Sequence, residues 1–171
     1  MVKNTAGKQL ILLRHAKSDW SSDARTDFDR PLSKRGRHDA PNMGSWLAEN
    51  GYVPDVVISS PSARTIETSE LVCTNIGYDV DQVVYDQRLY HGLDSHIRKI
   101  ATDQLEQYNC VMLVAHNPGM EMALLDYCPS AESFADGKFM PTCTVAVIEF
   151  EQGDQEYIRC RLKVMMRPSG L

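Results

Sequence analysis

Three short segments of the chain carry side chains suited to binding and transferring an anionic group. They are Arg14-His15, Ser60-Pro61-Ser62-Ala63-Arg64 and His116-Asn117-Pro118-Gly119. Together they supply two guanidinium and two imidazole groups and no carboxylate. Because arginine binds phosphate through a planar, bidentate fork, these residue types predict a pocket in which Arg14 and Arg64 clamp a phosphoryl group.

The two histidines indicate catalysis as well as binding. A neutral imidazole is a nucleophile near neutral pH, and neighbouring positive charge lowers its pKa. His15 adjoins Arg14, so one rigid element would place both the attacking nitrogen and a clamping guanidinium. We expect His15 to be phosphorylated transiently and then freed by water, with no metal or other cofactor. His116, if protonated, and Arg64 would stabilise the charge on the phosphoryl oxygens.

Each segment taken alone also has a purely structural interpretation. Ser60 suits an N-cap and Pro61 a first helical position, which would make the second segment an ordinary helix start. The His-Asn-Pro-Gly segment has the composition of a strand-to-helix turn. A functional site is favoured because all three segments occur in order, each directly after a run of apolar residues.

Those apolar runs predict the strands that must position the site. Leu10–Leu13, Val56–Ile58 and Val111–Ala115 are short and nearly continuous in apolar residues, which is typical of strands buried on both faces. The segments between them have apolar residues at helical spacing. Strands that alternate with helices predict a parallel sheet, and ligands bind at the carboxyl ends of such strands.

The pattern therefore predicts an α/β fold, a three-layer α/β/α sandwich with a mostly parallel central sheet. Residues 144–150 and 157–164, joined by a turn at Gly153-Asp154, predict an antiparallel hairpin at the C-terminal edge. The chain has 171 residues and no linker or internal repeat. We expect one domain covering residues 1–171.

The composition limits the classes of partner. With 18 Lys+Arg against 23 Asp+Glu, the net charge is -5, so neither nucleic acid nor a membrane attracts the molecule as a whole. The five cysteines never form a C-x-x-C pair, which predicts reduced thiols. The first eight residues lack the apolar core of a signal peptide, so we expect a cytoplasmic protein. Nothing in the sequence sets the oligomeric state.

Two further features lie near the predicted site. The basic residues are densest between Arg30 and Arg37. We interpret this stretch as a solvent-exposed helix start, and the alternative that it steers an acidic partner stays open. Trp20 follows the first segment closely and is expected at the mouth of the pocket.

The three segments in this order resemble the histidine phosphatase superfamily, which also contains the cofactor-dependent phosphoglycerate mutases. The likeness runs from about Gln9 to the final hairpin. Ala16 after the histidine, the Arg30–Gly36 stretch, the His-Asn-Pro-Gly run and the short chain make it most similar to the SixA-type phosphohistidine phosphatases. The resemblance implies that four residues form the catalytic phosphate pocket: Arg14, His15, Arg64 and His116.

The resemblance also bears on the substrate. It implies substrate-binding positions at Ser18, Asn117 and His91, of which Ser18 matches a hydroxyl that donates to the phosphate. Members that cleave phosphate esters protonate the leaving oxygen with a carboxylic acid, usually in the loop matching Asp86–Gly92, and here that loop has no Glu. His91 or a carboxylate from elsewhere in the chain stays open as an alternative acid.

A phosphoramidate needs less acid catalysis than an ester, because its nitrogen is protonated more readily. We therefore expect a metal-independent phosphatase that acts on phosphohistidine in a phosphorylated protein. Two alternatives stay open: hydrolysis of a small phosphorylated metabolite such as a sugar or nucleotide phosphate, and a module that binds phosphate without turnover.

Overall fold

The computed structural model describes residues 7–152 and 158–171. Within these residues the chain forms a six-stranded sheet and four α-helices. The strands are β1 Lys8–Arg14, β2 Val56–Ser59, β3 Val84–Tyr85, β4 Cys110–Ala115, β5 Val145–Gln152 and β6 Ile158–Met166. The helices are α1 Lys34–Glu49, α2 Ala63–Ile76, α3 Asp94–Leu105 and α4 Gly119–Tyr127.

The sheet is mixed, with strand order β3-β2-β4-β1-β5-β6. The first four strands are parallel where they pair, whereas β5 is antiparallel to β1 and β6 to β5. The predicted fold class is confirmed, including the antiparallel addition at one edge. Strand β3 was not predicted, since it has only two residues and both are exposed.

Helices cover both faces of the sheet, which explains why the central strands are apolar at every position. In β1, Leu10 and Leu12 pack into the core under α3 and α4, whereas Ile11 and Leu13 pack into the core under α1 and α2. Alternate side chains of a strand point to opposite faces, so each strand contributes to two separate cores. Burying both faces makes the strands a rigid base for the loops at their carboxyl ends.

The predicted C-terminal hairpin is present as β5 and β6. Its predicted turn at Gly153-Asp154 lies outside the described residues, as do most of the first eight residues, on which the expectation of no signal peptide depends. Among the described residues, no helix is both long and apolar enough to span a membrane. All five cysteines are free thiols, and three of them are buried.

The start of α1 is fastened to the loop that follows β1. Ser33 caps the helix, its Oγ accepting from the Gly36 amide at 3.2 Å, and the same hydroxyl donates to the Lys17 carbonyl at 3.0 Å. A Cβ at Gly36 would overlap that carbonyl oxygen, so only glycine allows the two backbones to approach so closely. This contact holds the residues after His15 against the helix.

Candidate active site

The strand register brings the three chemistry-bearing segments to one edge of the sheet. Arg14 is paired with Ala115 across β1 and β4, and Ser59 with Val114 across β2 and β4. The residues that follow these pairs therefore lie side by side at the carboxyl ends of β1, β2 and β4. His15 donates its amide to the Ala115 carbonyl at 3.1 Å, and Ser60 donates its amide to the Val114 carbonyl at 2.9 Å.

A pocket of about 330 Å³ opens at this edge. All seven predicted site residues line it: Arg14, His15, Ser18, Arg64, His91, His116 and Asn117. The structure adds five residues that were not predicted as ligands: Lys17, Trp20, Asp27, Arg30 and Thr142. The expectation that Trp20 lies at the mouth agrees with its place in this lining.

His15 is held in one tautomer. Its Nδ1 lies 2.7 Å from the carbonyl oxygen of Ala16, and because a carbonyl only accepts, Nδ1 carries the proton. Nε2 of the neutral ring then has the free lone pair. Burial is the largest cause that lowers the pKa of His15, to about 3, and the positive charges of Arg64 and Arg14 add to it. The predicted charge effect is therefore present but second to burial.

His116 is bonded to Ser60, which corrects the prediction that Ser60 caps a helix. The Ser60 hydroxyl lies 2.8 Å from His116 Nε2, and Ser60 is fully buried. The N-cap of α2 is Ser62, two residues later, so Pro61 is not the first helical residue. Burial and the neighbouring His15 lower the pKa of His116 to about 2. The free protein thus holds His116 neutral, and not protonated as one expected role required.

The two predicted arginines are both partly sequestered from solvent. Arg64 is buried within the first turn of α2, and Arg14 Nη1 donates to the Met140 carbonyl at 2.7 Å. Among the described residues, the Nε atoms of both guanidiniums are buried and have no hydrogen-bond partner. Burial also lowers the pKa of Arg14, partly offset by Glu121.

Asp27 is the one carboxylate in the pocket lining, and sequence reasoning missed it. Its Oδ2 accepts from Arg64 Nη2 at 2.9 Å and its backbone oxygen from Arg64 Nη1 at 2.6 Å. Oδ1 accepts from Arg30 Nη2 at 2.7 Å, and Tyr90 donates its hydroxyl to Oδ2 at 3.1 Å. The bond from Arg30 is the largest cause that holds the pKa of Asp27 well below its usual range.

Arg30 is a third guanidinium at the site, contrary to its interpretation as part of a solvent-exposed helix start. Its side chain is only 11% exposed, because α1 begins four residues later and leaves Arg30 in the preceding loop. Arg30 donates to Ser18 Oγ, and its Cζ lies 3.8 Å from the centre of the exposed Trp20 ring. The Ser18 hydroxyl hydrogen stays available to a ligand, since Ser18 accepts this bond.

The remaining two predicted ligands, Asn117 and His91, differ in their present contacts. Asn117 donates its amide to the Met140 carbonyl at 3.0 Å, so this donor already has a backbone partner. His91 is exposed at the mouth, with Nε2 3.6 Å from Asp27 Oδ2. Its backbone lies in the left-handed region at φ 52°. The ligand roles of both residues stay predictions.

The lowered pKa values predict that acid destabilises the fold above the range in which carboxylates titrate. In the unfolded chain both imidazoles bind protons near pH 6.5, whereas in the folded chain His15 and His116 stay neutral down to about pH 3 and about pH 2. The stabilisation is thus present above pH 6.5 and is lost as the pH falls. We expect urea denaturation to show the free energy of unfolding decreasing between pH 7 and pH 5, by up to about 1.4 kcal/mol per unit for each imidazole.

Two variants test whether the buried imidazoles cause this pH dependence of the free energy of unfolding. His116→Gln removes one buried imidazole and should flatten the decrease, whereas His38→Gln removes an exposed one and should leave it unchanged. Equal slopes in the two variants would contradict the assignment.

Comparison with known proteins identifies related sequences. The profile of the histidine phosphatase superfamily (branch 1) matches residues 10–91. The chain is 31% identical over 153 residues to an uncharacterized chloroplastic protein of Arabidopsis thaliana, covering 83% of this chain and 66% of that protein. It is 44% identical over 72 residues to the 2,3-bisphosphoglycerate-dependent phosphoglycerate mutase of Mycobacterium leprae but spans only 28% of that enzyme's length.

Solved structures match over nearly the whole chain. A protein of Agrobacterium tumefaciens assigned as the phosphohistidine phosphatase SixA is 29% identical, with a TM-score of 0.77 over 94% of this chain and 98% of that one. A protein histidine phosphatase SixA complexed with tungstate has a TM-score of 0.78 at 20% identity, over 95% of this chain and 98% of that one. The second likeness bears on the fold alone.

Proposed function

The chain belongs to the histidine phosphatase superfamily, and on that premise we propose that it hydrolyses phosphohistidine in a phosphorylated protein. Family membership and the similarity to phosphatase structures support a phosphatase. Our proposal goes further in two respects: the substrate is phosphohistidine, and His15 carries the phosphoryl group between its transfer from the substrate and its hydrolysis.

The proposal depends above all on three buried nitrogen atoms that belong to residues lining the pocket. Arg14 Nε, Arg64 Nε and His116 Nδ1 lack hydrogen-bond partners among the described residues. Buried polar groups nearly always have a partner, and the oxygens of a phosphoryl group would bind all three where these nitrogens carry hydrogen. The nucleophile is close by, since the ring centres of His15 and His116 are 5.1 Å apart.

The proposed reaction has two displacements. Nε2 of His15 attacks the phosphorus in line, and the bond from phosphorus to the substrate's imidazole nitrogen breaks. That nitrogen keeps the electron pair and takes a proton from water. A second water molecule then attacks the phosphorus of phospho-His15, and the electron pair of the P–Nε2 bond returns to the ring. Inorganic phosphate leaves, and solvent takes up the proton released by the attacking water. The arginines and His116 Nδ1 bind the equatorial oxygens throughout.

The electrostatics of the pocket favour a phosphoramidate over an ester. Asp27 stays ionised because Arg30 and Arg64 bind its carboxylate, so it is a poor proton donor. Asp86 and Asp94 are bonded to Arg88 and Arg98 and do not line the pocket. An alkoxide leaving group requires a proton donor more than an imidazole does.

A substrate panel tests the proposal. The protein should release phosphate from a histidine-phosphorylated protein in the presence of EDTA, at a kcat/KM far above that for sugar or nucleotide monophosphates. One ester turned over much faster than any phosphohistidine substrate would instead favour the small-metabolite alternative. Binding of phosphate without release at high protein concentration would favour a recognition module.

Ser60 is expected to act through His116. We infer that the Ser60 hydroxyl donates to Nε2, which keeps the proton of the neutral ring on Nδ1, the nitrogen without a partner among the described residues. Ser60→Ala removes this constraint, so we expect kcat/KM to fall roughly ten- to a hundredfold, the scale of a 1 Å misplacement of an acting group. The ¹⁵N chemical shifts of the His116 ring should show a larger share of the Nε2–H tautomer.

Ser59→Ala is the matched control. Ser59 is equally buried, and its hydroxyl bonds only to the carbonyls of Ser60 and Thr65, so its loss costs stability without touching His116. If both variants lose activity equally and the His116 shifts do not move, Ser60 serves packing alone.

A further inference from the structure

A second, larger concavity adjoins the catalytic pocket. This groove has a volume of about 520 Å³ and shares Arg14, Lys17 and Thr142 with the pocket. Its remaining walls come from the start of α1, from α4 and from the segment Gly137–Thr142. Since Arg14 lines both spaces and bonds to Met140 in the groove wall, the groove begins where the phosphoryl site ends.

The groove is positively charged although the chain has a net charge of -5. Four basic residues line it: Arg14, Lys17, Arg35 and Lys138. The side chains of Arg35 and Lys138 are 69% and 68% exposed. The one acidic lining residue, Glu121, has an oxygen that accepts from the Met140 amide at 3.0 Å. The charge of this surface is therefore opposite to that of the molecule as a whole.

The present ion pairs of these cations leave them available. Arg35 Nε contacts the buried Asp39 at 3.2 Å, whereas Lys138 Nζ contacts Asp136 at 3.8 Å in a solvent-exposed pair. An exposed pair such as Lys138–Asp136 contributes little to stability, so an incoming carboxylate can compete for Lys138. A guanidinium and an ammonium also have donors beyond those one carboxylate occupies.

We propose that this groove binds an acidic segment of the phosphorylated protein, next to its phosphohistidine. The inference depends on the proposed function, because the occupant of the groove must be covalently continuous with a phosphoryl group in the pocket. Phosphohistidine is part of a polypeptide, and the neighbouring residues of that polypeptide must leave the pocket along some surface. The groove is the concave and charged surface adjoining the pocket, and its charge selects Asp and Glu in the segment.

Three substrates distinguish binding in the groove from hydrolysis in the pocket. They are a histidine-phosphorylated peptide with Glu residues on both sides, a peptide of the same length with Gln at those positions, and phosphoramidate, which has no flanking groups. The wild-type protein should hydrolyse the Glu peptide with a kcat/KM about tenfold above that of the Gln peptide at low salt, and added KCl should reduce this preference.

The variant R35S/K138S removes two groove cations that are outside the catalytic pocket lining. It should bring the two peptides within about twofold of each other while leaving phosphoramidate hydrolysis unchanged. K99S/R161S is the matched control, because it removes two cations of similar exposure on α3 and β6 and should keep the full preference. Thermal unfolding of both variants checks that they fold.

The outcomes distinguish the two proposals. If phosphoramidate is hydrolysed but the wild type does not distinguish the peptides, or R35S/K138S keeps the preference, the groove proposal is overturned and the phosphatase proposal stands. If the wild type hydrolyses neither phosphoramidate nor either peptide, the proposed function fails, and the groove proposal fails with it. Stronger inhibition by a short DNA oligonucleotide than by an unphosphorylated Glu peptide would overturn the choice of an acidic polypeptide.

Discussion

Replacing His15 by alanine is expected to lower kcat on a phosphohistidine protein by about 10⁴- to 10⁶-fold, the scale seen when a nucleophile is removed from an enzyme. The physical reason is specific to the Nε2 atom. Nδ1 of the same ring is bonded to the Ala16 carbonyl and burial keeps the ring neutral, so Nε2 has the free lone pair that the proposed nucleophile requires. Alanine leaves the arginines and His116 in place, and binding of tungstate or inorganic phosphate should survive.

Rapid acid-free quenching of the wild type should trap a phosphoprotein whose label is stable to base and lost in acid, and His15→Ala should not form it. His38→Ala, which removes an exposed histidine, should behave as the wild type does. An active His15→Ala protein would falsify the assignment of the nucleophile. The same assays with EDTA test the expectation that no metal is needed.

Removing the guanidinium of Arg64 is expected to have the second largest effect. Arg64→Ala takes a buried cation from the phosphoryl site and also releases the Asp27 carboxylate from one of its two arginine partners. Loss of a single stabilising donor costs about 10²- to 10³-fold in kcat. The negative charge of Asp27, which then keeps Arg30 but not Arg64 as a partner, adds repulsion to a phosphoryl group. We expect kcat/KM to fall by about 10³- to 10⁴-fold.

A double-mutant cycle separates the two parts of this loss. Asp27→Ala in the Arg64→Ala background should restore activity about tenfold, because it removes the released carboxylate. Arg64→Lys should recover less than the full activity, since an ammonium keeps the charge but lacks the bidentate fork. If Asp27→Ala has no effect in the Arg64→Ala background, the carboxylate does not act on the phosphoryl group.

The parts of the site that could be predicted are those attached to buried strands. Arg14, His15 and His116 follow apolar runs whose type is plain in the sequence, and the parallel register then brings them together. Asp27 and Arg30 could not be found this way, because they lie in the irregular segment between β1 and α1. Asp27 reaches the pocket through its hydrogen bonds with Arg64, which is distant in sequence, and no local sequence pattern predicts those bonds.

The error at Ser60 has a similar cause. Ser60 and Ser62 flank one proline, and serine suits an N-cap at either position, so local propensity does not choose between them. The choice depends on where β2 ends, since the strand pairing extends to Ser59 and leaves Ser60 facing His116, which directly follows β4. The short strand β3 was missed for a different reason. Its two residues gain their strand geometry from pairing with Ile58 and Ser59, not from any alternation of their own.

The alignment of strand ends also constrains how sequences of this kind can diverge in length. One residue inserted into β1, β2 or β4 would move the following histidine or serine past its partners and turn the strand's side chains to the opposite face. We therefore expect insertions and deletions in these strands to disrupt the site. The segment after Ser18 is constrained as well, because Asp27 and Arg30 lie in it and line the pocket. The segment after Tyr127, between α4 and β5, is expected to accommodate them better. Evolution of this fold can lengthen or shorten the rim of the pocket while the atoms at its base keep their spacing.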